Sequence, residues 1–306
     1  MSESNRNRAP RLPDFIAVGP PRTATTWLHE VLKGHVCLPA DRKETDFFTR
    51  FYDRGIDWYA DYFRHCESGM PVGELSPMYF ASTPARERIA RDLPECKVIC
   101  SFRDPVQRAY SNYRLLRRNA FTKVDFERAA TTRGDLLESS RYGTHLADWF
   151  DTFGRERVLV LIYDDLESNP QAFLDSVCDF IGIARFPISA SRVGAERVHT
   201  VNTQPPNPRL AKIARDLVGW FVTRRYHRAA NLVRDSHIIR YMLEGGDPFP
   251  PLGAEVAQRM REYYRPEVEK LEELTGRDLS VWKPASRSNS PLDERVGVSA
   301  ASRPGS

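Results

Sequence analysis

The sequence predicts an α/β fold, a single-domain three-layer α/β/α sandwich with a central parallel sheet. Three apolar bursts, Phe15 to Val18, Val98 to Phe102 and Val158 to Tyr163, have the length and side-chain character of buried strands. Each is followed by a segment of helical period, and that alternation builds a parallel sheet covered by helices on both faces. A chain of 306 residues with 41% apolar and 28% charged residues is of ordinary globular composition, and an α/β chain of this size forms one unit around one core.

The elements follow in order. The first helix is predicted over Thr25 to Lys33, with Trp27, Leu28, Val31 and Leu32 on one side and Gly34 as its stop. Val72 to Leu75 reads as a shorter fourth strand, with Pro84 to Asp92 as its helix. Asp104 is a good N-cap and Pro105 suits the first helical position, so the chain passes from strand to helix directly after Arg103. Later helices are expected over Tyr142 to Phe153, Pro170 to Ile181, Leu210 to Phe221 and Glu255 to Thr275. The polar N-terminus, residues 1–13, and the Ser/Arg/Gly/Pro/Ala-rich stretch 284–306 carry no apolar period, and both read as disordered ends of a domain covering 14–283.

Composition excludes several classes. A balance of 45 basic against 41 acidic residues gives a net charge of +4, too mild to require nucleic acid but compatible with a local anion-binding patch. No run approaches the roughly 20 apolar residues that span a bilayer, and the N-terminus has no apolar core, so neither a membrane partner nor a signal peptide is expected. The five cysteines form no CxxC pair and their odd number fits poorly with a closed disulfide framework, which points to a reducing, cytoplasmic compartment.

The segment Gly19-Pro-Pro-Arg-Thr-Ala-Thr-Thr-Trp27 stands between the first strand and the first helix, where free backbone N–H groups and the helix dipole favour an anion. Thr25 and Thr26 add hydroxyl donors and Arg22 a permanent positive charge. A nucleoside-triphosphate loop needs GxxxxGK[ST]; here Ala24 replaces the second glycine and Thr25 stands where the lysine belongs.

Pro21-Arg-Thr-Ala-Thr-Thr-Trp27 resembles the 5′-phosphosulfate loop of sulfotransferases that use 3′-phosphoadenosine-5′-phosphosulfate (PAPS), departing from P-[KR]-[ST]-G-T-T-W only at Ala24. The resemblance implies their P-loop-like fold, with Arg22, Thr23, Ala24, Thr25 and Thr26 around the 5′-phosphosulfate. Arg22 takes the place of the family's catalytic lysine or arginine, and Trp27 either packs near the adenine or belongs to the core. Ser101 to Ser111 is similar to the family's 3′-phosphate motif, in which an arginine at a strand end and a serine eight positions later meet one phosphate; Arg103 and Ser111 have that spacing. The implied cofactor is PAPS as co-substrate, and the implied reaction needs no metal.

Asp41-Arg-Lys-Glu-Thr-Asp-Phe-Phe48 with Arg54-Gly-Ile-Asp-Trp-Tyr59 resembles the heparan sulfate N- and 3-O-sulfotransferase branch, which implies that Glu44 is the base. The chemistry requires one, because the acceptor hydroxyl or amine loses a proton as the new bond to sulfur forms. Gly73 to Phe80 resembles the same branch's E-K-[ST]-x-x-Y-F segment, with Leu75 in place of the lysine and Glu74 left either to orient a basic group or to form a structural ion pair. His145 and His199 are the histidines to weigh as alternative bases, and Arg197 lies in the basic stretch that corresponds to the lid over the nucleotide. Arg114, Arg117 and Arg118 either steer an anionic acceptor or form a solvated cluster. The implied acceptor is glycan-like or a small molecule; the rival readings are a Mg²⁺-dependent kinase or nucleotidase using Asp164 or Asp165, and a non-catalytic binding protein.

Overall fold

The computed structural model describes residues 11–190, 203–224, 226–243 and 245–284. The expected disordered ends at 1–10 and 285–306, and the stretch holding Arg197 and His199, lie outside the described residues. Residues 11–13, read as tail, instead belong to the fold: Pro13 is buried, and the Arg11 guanidinium donates to the carbonyls of Glu67 and Met70 at 2.8 and 2.7 Å.

The described residues form a four-stranded parallel sheet in the order β2-β1-β3-β4. The strands are β1 (Phe15–Ala17), β2 (Gly73–Leu75), β3 (Lys97–Phe102) and β4 (Val158–Ile162). Side chains alternate between faces with a period of two. Phe15, Ala17, Leu75, Ile99 and Leu161 pack against Trp27, Leu28 and Val31 of α1 (Thr25–Leu32) and against Phe173, Leu174 and Val177 of the helix Pro170–Ile181. Ile16, Val18, Val98, Cys100 and Phe102 face the opposite layer, where Ile89, Tyr142, Leu146, Trp149 and Tyr264 cover them. Both faces are covered, which is why these strands read as continuous apolar runs rather than as alternating ones.

β1 pairs with β2 on one side and with β3 on the other, so the chain's direction of winding reverses beside β1. Open parallel sheets bind ligands in the crevice beyond the carboxyl ends of the strands at such a reversal. The register Phe15↔Lys97, Ile16↔Val98, Ala17↔Ile99 sets the phosphate loop and Arg103 at neighbouring strand ends.

The helix Pro105–Arg118 begins where its cap predicts: the Asp104 carboxylate accepts from the amides of Val106 and Gln107. Short elements were not legible, among them the π-helical turn Phe47–Phe51 and the helices Ile56–Ala60, Phe126–Thr132 and Tyr163–Ser168. Elements of one or two turns are shorter than the window in which an apolar period can be recognised.

The cysteine reading is corrected. Cys37 and Cys66 form a disulfide across 29 positions, while Cys96, Cys100 and Cys178 are buried free thiols. The odd total thus reflects one bridge plus three cysteines that pack as small apolar residues. The bridge joins the extended segment beside β2, where Cys37 bonds the backbone of Pro71 and Gly73, to the turn after Phe63. Cysteine content therefore gives no argument for a reducing compartment. Among the described residues, no helix is long and apolar enough to cross a membrane.

Candidate active site

The phosphate loop leaves β1 through a constriction. A Cβ on Gly19 would stand 2.5 Å from Ser101 Oγ and 2.6 Å from its amide nitrogen, so only glycine passes β3 this closely. Thr23 is fully buried; its hydroxyl donates to the Pro20 carbonyl at 2.7 Å and lies 2.9 Å from Ser101 Oγ. The Thr23 side chain therefore pins the loop to β3. Arg22 and Ala24 are held at φ values of 78° and 73°, the left-handed region that favours glycine. Ala24 occupies the N-cap of α1, where it contributes no side-chain hydrogen bond to the first-turn amides.

Beyond this turn two sets of cations converge. On one side Arg22 Nε donates to Ser111 Oγ at 2.9 Å, joining the two anion motifs directly across 89 positions. The Arg22 guanidinium is pushed down to about 10, first by burial and then by the positive charges of Arg118, Arg103 and Arg114. At neutral pH it stays protonated within a concentrated positive field. Arg103 lies with its guanidinium carbon 4.7 Å over the ring of Tyr163, at the end of β4, and donates to Gln107 Oε1 at 3.0 Å. Tyr163 was read only as the end of a strand; its place at a carboxyl strand terminus was the available signal. Arg114 and Arg118 share the field of the site, whereas Arg117 turns away to the carbonyls of Lys123 and Val124.

At Thr25 and Thr26 stands Lys43, to which the sequence pattern assigns no role. Its ammonium lies 3.3 Å from Thr25 Oγ1, 3.1 Å from Thr26 Oγ1 and 3.2 Å from Glu44 Oε1. The expected base is thus one ammonium away from both loop hydroxyls. Burial raises the Glu44 carboxyl above its ordinary range, and Lys43 opposes the rise; a third of the side-chain surface stays exposed.

Glu44 is positioned by Glu74. That buried carboxylate accepts from the Thr45 amide at 3.0 Å and from the hydroxyls of Thr45, Tyr59, Ser76 and Tyr79. Neither reading offered for Glu74 applies, since its bonds are to neutral donors. Burial, and then the Glu74 charge, push both phenols well up. Asp41 and Asp46, at φ 62° and 54°, bend the chain on either side of Glu44.

Other expectations resolve into structure. Trp27 is 4% exposed and meets Phe173 edge-on at 5.8 Å, the packing expected of the core alternative. His145 is buried with Nε2 3.0 Å from Glu138 Oε1 and its ring against Phe80. Leu75 is fully buried among Phe15, Trp27 and Val31, so β2 supplies no cation where the resembled branch has lysine. Asp164 accepts from the Trp282 indole and Asp165 pairs with Arg277, which ties the aspartates of the kinase reading to the C-terminal segment.

Cations and hydroxyls thus gather at the ends of β1 and β3. Residues 12–197 match the family model described as sulfotransferase domain. The chain belongs to the sulfotransferase family. It is 28% identical over 278 residues to the human heparan sulfate glucosamine 3-O-sulfotransferase 3B1, an alignment covering 88% of this chain and 65% of that protein. It is 31% identical over 206 residues to the human bifunctional heparan sulfate N-deacetylase/N-sulfotransferase 2, covering 60% of this chain and 23% of that one. The chain therefore spans less than two thirds of the length of these relatives. A sulfotransferase crystal structure from Alicyclobacillus acidocaldarius superposes with a TM-score of 0.63 at 19% identity, covering 89% of this chain and 99% of that one, a likeness of fold.

Proposed function

We propose that this sulfotransferase-family chain transfers a sulfuryl group from PAPS to a hydroxyl or amine of a glycan-like or small-molecule acceptor by direct in-line displacement. The observation that carries this reading is the Arg22 to Ser111 contact, which makes the phosphate loop and the Arg103 motif two walls of one crevice. A donor with phosphates at both ends of a nucleoside suits two such walls. The acceptor class is carried over from the relatives' names.

In this reading the first-turn amides of α1, with Thr25 and Thr26, hold the 5′-phosphosulfate. Arg103 and Ser111 bind the 3′-phosphate within the field of Arg114 and Arg118, and Arg22 neutralises donor charge between the two ends. Glu44 takes the acceptor proton as the acceptor–sulfur bond forms and the bond from sulfur to the 5′-phosphate oxygen breaks; both electrons of that bond leave with the nucleotide. The raised carboxyl brings Glu44 nearer to working pH, where a general base is most effective.

Adenosine 3′,5′-bisphosphate should raise the melting temperature while Mg·ATP leaves it unchanged, because a ligand bound only by the native state stabilises it. Glu44→Gln should abolish transfer with bisphosphate affinity retained, and Arg103→Ala should weaken that affinity about tenfold, the scale of one charge-assisted contact. Full turnover in the first variant removes the base; stabilisation by Mg·ATP alone favours the nucleotidase reading.

A further inference from the structure

We infer that Lys43 is a further cation of the donor site, binding the 5′-phosphosulfate where it meets Thr25 and Thr26; the inference rests on the reading above. Its ammonium has three neighbours at hydrogen-bond distance: the hydroxyls of Thr25 and Thr26 and the carboxylate of Glu44. Both hydroxyls can donate to a phosphate oxygen, and an ammonium has three donors and no acceptor. An anion seated on the two threonines therefore meets the Lys43 charge as well.

Among the described residues, the arginines named for the site make contacts away from Thr25 and Thr26. Arg22 is drawn to Ser111, Arg103 is held by Tyr163 and Gln107, and Arg117 bonds carbonyls elsewhere. At position 75, where the resembled segment has lysine, Leu75 is buried in the core. Lys43 brings a charge to Thr25 and Thr26 from a different loop. That loop is firmly built, since the next residue, Thr45 beyond Glu44, is bonded through both amide and hydroxyl to buried Glu74.

The placement also gives Lys43 a part in timing. In the structure its ammonium lies against the Glu44 carboxylate; when a phosphosulfate competes for that ammonium, Glu44 loses part of its counter-charge as the donor arrives. Donor occupancy and the strength of the base are coupled through one side chain.

The test compares ligands that differ only at the 5′ end. Binding of adenosine 3′,5′-bisphosphate and of adenosine 3′-monophosphate is measured by calorimetry for the wild type, Lys43→Met, Lys43→Arg and Arg103→Ala. Lys43→Met should weaken bisphosphate binding about tenfold, the scale of one charge-assisted contact, and leave 3′-monophosphate binding unchanged. Arg103→Ala should weaken both ligands. Lys43→Arg, which keeps the charge, should recover most of the loss. Equal bisphosphate affinity in Lys43→Met and wild type overturns the assignment while leaving the function reading intact, as does an equal loss for both ligands or a failure of arginine to rescue. Absence of binding of either ligand to the wild-type chain overturns the function reading itself.

Discussion

The two loops that meet at the crevice are built in opposite ways. The phosphate loop is local: seven consecutive residues, Val18 to Ala24, turn between β1 and α1, pinned by the short contacts of Gly19 and Thr23 with Ser101. The Glu44 loop is held from a distance, by the carboxylate of Glu74 on β2 and by a bridge between Cys37 and Cys66 that encloses the whole segment. A loop that receives a phosphate needs backbone donors, which a strand-to-helix turn supplies unaided. A loop that presents a base needs a fixed direction for one side chain, and that must come from elsewhere in the fold.

The largest expected effect breaks the second loop. Glu74→Leu removes the acceptor shared by the hydroxyls of Thr45, Tyr59, Ser76 and Tyr79 and should cost more than ~3 kcal/mol in denaturant unfolding, since each buried donor left unpaired costs about 1–3 kcal/mol. A loss below ~1 kcal/mol would mean that the loop is anchored by other contacts. Next in size, replacing both Cys37 and Cys66 by serine should destabilise the fold by ~3 kcal/mol, the range for closing a loop of this length. Transfer activity should fall with it, because the enclosed segment carries Lys43 and Glu44; identical melting of the oxidised and reduced protein would remove the bridge from the account.

The contrast is sharpened by pH. The Glu44 carboxyl is raised, so its charged, proton-accepting form is lost as pH falls through a value above the ordinary carboxylate range of about 4.5, and kcat/KM should decline on that limb. Glu44→Gln should abolish the limb together with the activity; an unchanged limb in residual turnover would assign it to another group. The smallest effect is expected in the first loop. Ala24→Gly relieves a left-handed residue of a penalty of ~1–2 kcal/mol but adds unfolded-state freedom, for a net gain of ~0.5 kcal/mol in thermal unfolding. A loss of stability there would mean that the methyl group contributes packing that outweighs the strain.

The same contrast explains what the sequence made legible. The loop from Gly19 to Trp27, the Asp104-Pro105 helix start and the four strands are encoded by neighbours in the chain, and the structure has them within a residue or two. Lys43, Tyr163, Glu74 and the bridge act across the fold: Thr45 and Glu74 are 29 positions apart, and Arg103 and Tyr163 lie on different strand ends. No periodicity records such pairings, so Lys43 read as one charge in a polar run. Trp27 carried the opposite ambiguity, because one tryptophan on a helix serves a core and an adenine equally well until its burial is known.

The pairing of Ala17 with Ile99 also acts as a ruler. Arg103 follows Ile99 by four residues along β3 and its exit, a reach of ~13 Å at the usual rise of an extended strand. Deleting one residue from β3 would shorten that reach by ~3.3 Å and turn the guanidinium to the other face of the sheet. In the proposed reading, the span between the two phosphates of the donor is thus set by the backbone of one strand, which leaves the surrounding loops free to vary in whatever they offer to an acceptor.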